Sequence, residues 1–138
     1  MNMKPQYKKN ALKFKRFNTK DGVAATDLYN YEYRTSVIKN PAGDDVFKMD
    51  NVEVPADWSQ VATDILAQKY FRKAGVPQPD GTTGSETSVK QVAHRLADCW
   101  KTWGERYGYF ASKKDAQVFY DELVYSILGQ MAAPNSPQ

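Results

Sequence analysis

The 138-residue chain has one cysteine, Cys99, and one histidine, His94. A single thiol excludes an internal disulfide, and a single imidazole excludes a multi-histidine metal site. No apolar run approaches the roughly 20 residues that a membrane-spanning helix needs, and the lysine-rich start is not followed by the apolar stretch of a signal peptide. A cytoplasmic location is the expectation. Acidic residues are missing from the first 20 positions, where Lys4, Lys8, Lys9, Lys13, Lys15, Arg16 and Lys20 supply 7 of the 19 basic groups. From Asp21 onward the remaining 12 basic residues meet 16 acidic ones. The net charge of +3 therefore belongs to the start of the chain, and the body is mildly acidic. Phosphate loop, dinucleotide fingerprint and nucleophile elbow are all absent.

Hydrophobic residues make up 41% of the chain, with 3 Trp, 9 Tyr and 6 Phe to anchor a core, so one domain or part of one is expected. Residues 1–20 read as a solvated, flexible basic arm, since such arms concentrate at termini without packing partners. Tyr7, Phe14 and Phe17 between its lysines give the alternative, a non-catalytic module that binds nucleic acid or another protein.

Positions 29–54 predict a β-hairpin: Tyr31, Tyr33, Thr35 and Val37 alternate with Glu32, Arg34 and Ser36, and a second β-prone run at Val46 to Met49 follows the turn-forming Asn40 to Asp44. Three helices are expected after it. The first, 57–74, has Asp57 and Gln60 as its capping pair and an apolar stripe of Trp58, Val61, Ala62, Ile65, Leu66 and Tyr70. The second, 88–103, is capped by Ser88 with Gln91, buries Val89, Val92, Ala93, Leu96, Trp100 and Trp103, and stops near Gly104 or Gly108. The third, 112–130, is capped by Ser112 with Asp115 and turns Ala116, Phe119, Leu123 and Ile127 inward. Gly75 to Ser85 reads as an aperiodic loop. The fold class is mainly α with a short amino-terminal β-hairpin.

Catalytic content is thin. His94 falls off the stripe of its helix and reads as an exposed surface residue. Cys99, beside Leu96, Trp100 and Trp103, reads as a small buried thiol. Five residues separate them, about 140° around a helix, so they form no metal pair. Asp44-Asp45 and Asp121-Glu122 read as solvated pairs rather than acid/base couples.

Several segments resemble one family in order and spacing: Tyr31 to Ile38, Val52 to Gln60, Ala67 to Arg72, Glu86 to Gln91, Trp103-Gly104 with Tyr107 to Ala111, and the terminal Asn135-Ser136-Pro137. Together they are similar to the amino-terminal part of adenosylcobalamin-dependent (class II) ribonucleoside-diphosphate reductases. The resemblance implies a helical region, 21–138, that packs on a ten-stranded α/β barrel not present in this chain, which ends in the substrate loop. It implies an enzyme converting ribonucleotides to deoxyribonucleotides, inactive as this segment alone because the catalytic cysteines lie elsewhere. Adenosylcobalamin would be bound by the barrel portion. One substrate-binding residue carries over, Ser136, supported by Asn135 and Pro137; the bare sequence explains the same residues equally well as a helix stop. The implied partners are a carboxy-terminal reductase polypeptide, the ribonucleotide and a second copy of the complete enzyme, with no membrane or nucleic acid.

Overall fold

A computed structural model describes residues 3–134. The chain divides into two compact units, one formed by Met1–Leu28 with Ala93–Gln138 and the other by Tyr29–Val92.

In the 29–92 unit, β1 (Tyr31–Lys39) and β2 (Asp45–Pro55) pair antiparallel, as the alternation predicts. Their connection is built by Asn40, whose Oδ1 accepts the Asp44 N–H at 2.9 Å while its carbonyl accepts Gly43 N–H at 2.9 Å. Such a side-chain turn is why Asn favours this position. Arg34 faces Val52 and Ser36 faces Met49, so Thr35 opposes two residues, Asp50 and Asn51. This bulge is absorbed by Asn51 at φ 58°, a conformation that asparagine tolerates better than most residues. Only the base of the hairpin enters the core: Val52, Val54 and Pro55 are buried, as is Ser36.

The next helix, α1, covers Gln60–Ile65. Its cap is Ser59 rather than the expected Asp57: Ser59 Oγ accepts the Ala62 N–H at 3.1 Å. Gln60 does not return a capping bond but donates to Thr35 O at 3.0 Å and Asp64 Oδ1 at 2.9 Å. From Leu66 to Tyr70 the helix widens into a π-turn, closed by Phe71 N–H on Leu66 O at 3.0 Å. Widening shifts the phase of the inward face. Thr63, Leu66, Ala67 and Phe71 are buried, whereas Val61 and Ile65 of the expected stripe are 67% and 48% exposed. The helical path also ends at Tyr70, short of residue 74. The expected loop contains two-residue strands, β3 (Val76–Pro77) and β4 (Thr83–Gly84).

Helix α2 spans Val89–Arg106. Its capping box forms as predicted: Ser88 Oγ accepts from Lys90 N at 3.1 Å, and Gln91 Oε1 accepts from Ser88 N at 3.0 Å. Val89–Val92 belong to the 29–92 unit and the remainder of the helix to the other. It runs past Gly104 and stops at Gly108, whose φ of 68° lets Tyr109 N–H return to Gly104 O at 2.8 Å.

In the other unit, α3 (Lys113–Leu128) starts at Ser112, whose Oγ accepts the Asp115 N–H at 3.2 Å. Ala116, Val118, Val124, Ile127 and Leu128 are buried; Phe119 and Leu123 are only partly so. Small residues mark the inward line of α2 here. Ala93, Ala97 and Gly104 are buried, while Trp103, expected inside, is 51% exposed. Gly104 leaves the space that the Phe110 ring fills, since a Cβ would stand 2.4 Å from Phe110 Cε2. Phe110 lies 5.3 Å from Phe119 and 6.0 Å from Phe14, ring centre to ring centre.

Candidate functional site

Helix α3 stops by a local motif of its own. Gln130 takes φ 56°, its N–H bonds Ile127 O at 3.1 Å, and Met131 N–H bonds Ser126 O at 2.9 Å. This is the paired 5→2 and 6→1 pattern of a Schellman motif, with Gln where Gly is usual. The helix is thus ended before Pro134, and Asn-Ser-Pro is not needed to stop it. Asn135, Ser136 and Pro137 themselves lie outside the described residues.

The acidic pair expected to be solvated is the most heavily engaged part of α3. Asp121 is buried, accepting from Arg16 Nη1 at 2.7 Å and from Gln117 Nε2 at 2.8 Å. Glu122 Oε1 accepts the backbone N–H groups of Phe17 at 2.6 Å, Asn18 at 3.0 Å and Thr19 at 3.2 Å, and the Thr19 hydroxyl at 3.0 Å. Asn18 Nδ2 adds a bond to Oε2 at 3.2 Å. Burial pushes the Glu122 pKa up, but these donors outweigh it and hold the carboxyl below its ordinary value.

The arm thus makes hydrogen bonds to this unit while most of its side chains stay exposed. Further back, Phe14 N–H donates to Asp115 Oδ1 at 2.9 Å, Leu12 N–H to Tyr109 O at 3.0 Å and Gln6 N–H to Glu105 O at 2.7 Å. The Tyr7 hydroxyl donates to Glu105 Oε2, and burial together with that carboxylate pushes the phenol pKa up to about 12. Asp115 and Glu122 are turned onto the arm's backbone, Glu105 and Asp121 onto its side chains. Lys4, Lys8, Lys9, Lys13, Lys15 and Lys20 remain exposed.

His94 is exposed as expected, with Nδ1 2.6 Å from the Tyr120 hydroxyl. Cys99 is exposed, not buried. It sits two residues from the buried Ala97, about 200° around the helix. Asp44 and Asp45 lie in the exposed hairpin turn, where Asp45 pairs with Lys39 at 3.2 Å.

Two polar clusters escaped the sequence reading. In one, Glu53 accepts from Ser88 Oγ at 2.6 Å and pairs with Lys90 at 3.3 Å, while the Lys90 ammonium stands 4.0 Å from the Tyr31 ring centre. Burial raises the Glu53 pKa, but donation from Ser88, Tyr33 and Lys90 brings it below its ordinary value. In the other, Arg34 donates to the carbonyls of Trp58 and Ala56, to Thr63 Oγ1 at 3.1 Å and to Glu32. Both fasten the hairpin base to the segments preceding α1 and α2. Their only sequence signal was the placement of Arg34, Glu53 and Ser88 inside the family-like segments.

Among the described residues no group of three or more His, Cys, Asp or Glu is arranged to hold a metal ion. No helix among them is long and apolar enough to cross a membrane.

A family model described as class II vitamin B12-dependent ribonucleotide reductase matches residues 32–130. The vitamin B12-dependent ribonucleotide reductase of Bradyrhizobium diazoefficiens is 44% identical over 92% of this chain and 12% of that protein. That of Agrobacterium fabrum is 40% identical over the same shares, and that of Rhodopirellula baltica 36% identical over 91% of this chain and 12% of its own length. The chain thus spans about 12% of the length of these curated relatives. On that match the chain belongs to the class II, vitamin B12-dependent ribonucleotide reductase family and corresponds to its amino-terminal segment.

Proposed function

We propose that this chain serves as the amino-terminal part of an enzyme reducing ribonucleotides to deoxyribonucleotides, supporting the reductase barrel and contributing Ser136 to nucleotide binding. The observation that carries this is the family match over residues 32–130, joined by a relative 44% identical over 92% of this chain, of which the chain is 12%. What supports the substrate role is the likeness of Asn135-Ser136-Pro137 to the family's substrate loop. A serine hydroxyl there donates to a phosphate or ribose oxygen, worth about 0.5–1.5 kcal/mol.

In this reading adenosylcobalamin, which would supply the radical-generating chemistry, is held by a carboxy-terminal reductase portion, together with the radical thiol and reducing pair that a chain with one cysteine does not provide.

Co-expression with a carboxy-terminal reductase polypeptide tests this reading. The pair is expected to turn over ribonucleotide with adenosylcobalamin and a thiol reductant, and the 138-residue chain alone is not. Turnover by the chain alone overturns it. Ser136→Ala is expected to weaken reduction while leaving co-purification intact; an unchanged KM and rate in an active complex removes the serine from substrate binding.

A further inference from the structure

We infer that the face formed by Trp103, Tyr107 and Tyr109, with Lys8 and Lys9 at its rim, is the surface through which this segment docks on the carboxy-terminal reductase polypeptide, at an apolar patch edged by carboxylates. The inference rests on the reading of the chain as the amino-terminal part of a larger reductase.

Three large aromatic side chains stand outward here: Trp103 is 51%, Tyr107 58% and Tyr109 55% exposed. They form one patch. Tyr107 lies one turn beyond Trp103, with its N–H on Trp103 O at 3.0 Å, and its ring centre is 6.2 Å from that of Tyr109. Leu12, also exposed, joins them through its N–H on Tyr109 O at 3.0 Å. The Lys8 stem lies against Gly108, where a Cβ would stand 2.7 Å from Lys8 Cε.

The core of this unit does not account for the patch. Gly104 and Phe110 serve that core, the glycine making room for the ring. Trp103, Tyr107 and Tyr109 do not, although all five residues fall in one family-like stretch, Trp103-Gly104 with Tyr107 to Ala111. Tryptophan and tyrosine, each with an apolar body and a polar tip, are the side chains that most often anchor an interface.

Two observations choose the occupant. The chain is 12% of the length of its relatives, so in a protein of that length most of the polypeptide able to cover the face lies outside these residues. The rim is cationic: Lys8 and Lys9 are exposed and form no ion pair among the described residues, while Glu105, which meets the arm here, is taken by the Tyr7 hydroxyl. An apolar centre ringed by carboxylates is the complementary surface.

The test is the dissociation constant for capture of the carboxy-terminal reductase polypeptide by the full 138-residue chain, measured by surface plasmon resonance. Trp103→Ala is expected to weaken capture about 30-fold and Tyr107→Ala/Tyr109→Ala about tenfold. Lys8→Glu/Lys9→Glu should weaken it about fivefold at low salt, and less at high salt where rim charges are screened. Val46→Ser, on the exposed part of the hairpin, is the control and leaves capture unchanged. If the parent chain is captured and the Trp103 and tyrosine variants bind within about twofold of it, the face is refuted and the reading of the chain as a reductase segment stands. If the parent chain is not captured, both fall. Should Trp103→Ala lower the urea midpoint, the tyrosine and lysine variants decide by the same constant. Binding of a single-stranded oligothymidylate, or self-association of the chain, that Trp103→Ala abolishes while capture is unchanged gives the face to that occupant and overturns the inference.

Discussion

Arg16→Met removes the cation from a pair whose side chains are 15% and 7% exposed, leaving the Asp121 carboxylate with Gln117 Nε2 at 2.8 Å. Breaking a buried ion pair from one side costs about 3–5 kcal/mol, since an uncompensated charge stays in a poorly solvated site. The surviving Gln117 bond places the expected loss at the lower end, about 3 kcal/mol. For a domain stable by roughly 5–15 kcal/mol this is a large fraction. With a urea slope of about 1–3 kcal/mol/M, the unfolding midpoint should fall by about 1–3 M. The companion variant Arg16→Met/Asp121→Leu removes both charges. Arg16 Nε is already buried without a hydrogen-bond partner, so the native pair is incompletely compensated. The double variant is therefore expected within about 1 kcal/mol of the parent, as apolar replacements of buried pairs commonly are. Urea titrations followed by circular dichroism on the three variants complete the cycle with Asp121→Leu alone. A loss under about 1 kcal/mol for Arg16→Met, or a double variant as unstable as the sum of its parts, refutes the view that burial governs this pair.

Three further outcomes are expected. Because Glu122 has its folded pKa below its unfolded value, its contribution is present above the ordinary carboxylate range and lost as pH falls through the lower folded value; Glu122→Gln should flatten the acid limb of a stability–pH profile. Gly104→Ala places a methyl 2.4 Å from Phe110 Cε2 and 2.8 Å from Cζ, and should cost about 1–3 kcal/mol in chemical denaturation. Gln130→Gly relieves the left-handed conformation at the end of α3 and should raise stability by about 1 kcal/mol, read as a higher midpoint in the same titration.

What the sequence made legible was local chemistry that acts over three or four residues. Ser88 with Gln91, Ser112 with Asp115 and the Asn40 turn all form as read, because each device is complete within its own segment. The start of α1 went astray because Asp57 and Ser59 are both competent caps, and the choice falls to Ser59 once Gln60 is drawn to Thr35 O across the hairpin. Val61 and Ile65 lie outward because the buried line of α1 starts from Thr63, a polar residue that a stripe of apolar positions passes over, and the π-turn after it carries the line to Phe71 instead of Tyr70. Cys99 followed from weighting bulky residues over small ones: the inward line of α2 in its unit is Ala93, Ala97 and Gly104. Least legible was the role of Asp121 and Glu122. Their partners are more than 100 residues away in sequence, and no periodicity reports such a contact.

The unit that holds the arm is discontinuous, with Tyr29–Val92 interrupting it. During synthesis the interrupting unit leaves the ribosome whole, hairpin before helix, and can fold while α3 is still unmade. The arm, although first to emerge, must wait about a hundred residues for Asp121 and Glu122. Closing a loop of that length costs about 4 kcal/mol in chain entropy before any bond is returned, so arm docking belongs among the last events of folding. Until then a lysine-rich segment with no acid in its first 20 residues has no local carboxylate to pair with, and its like charges oppose its compaction.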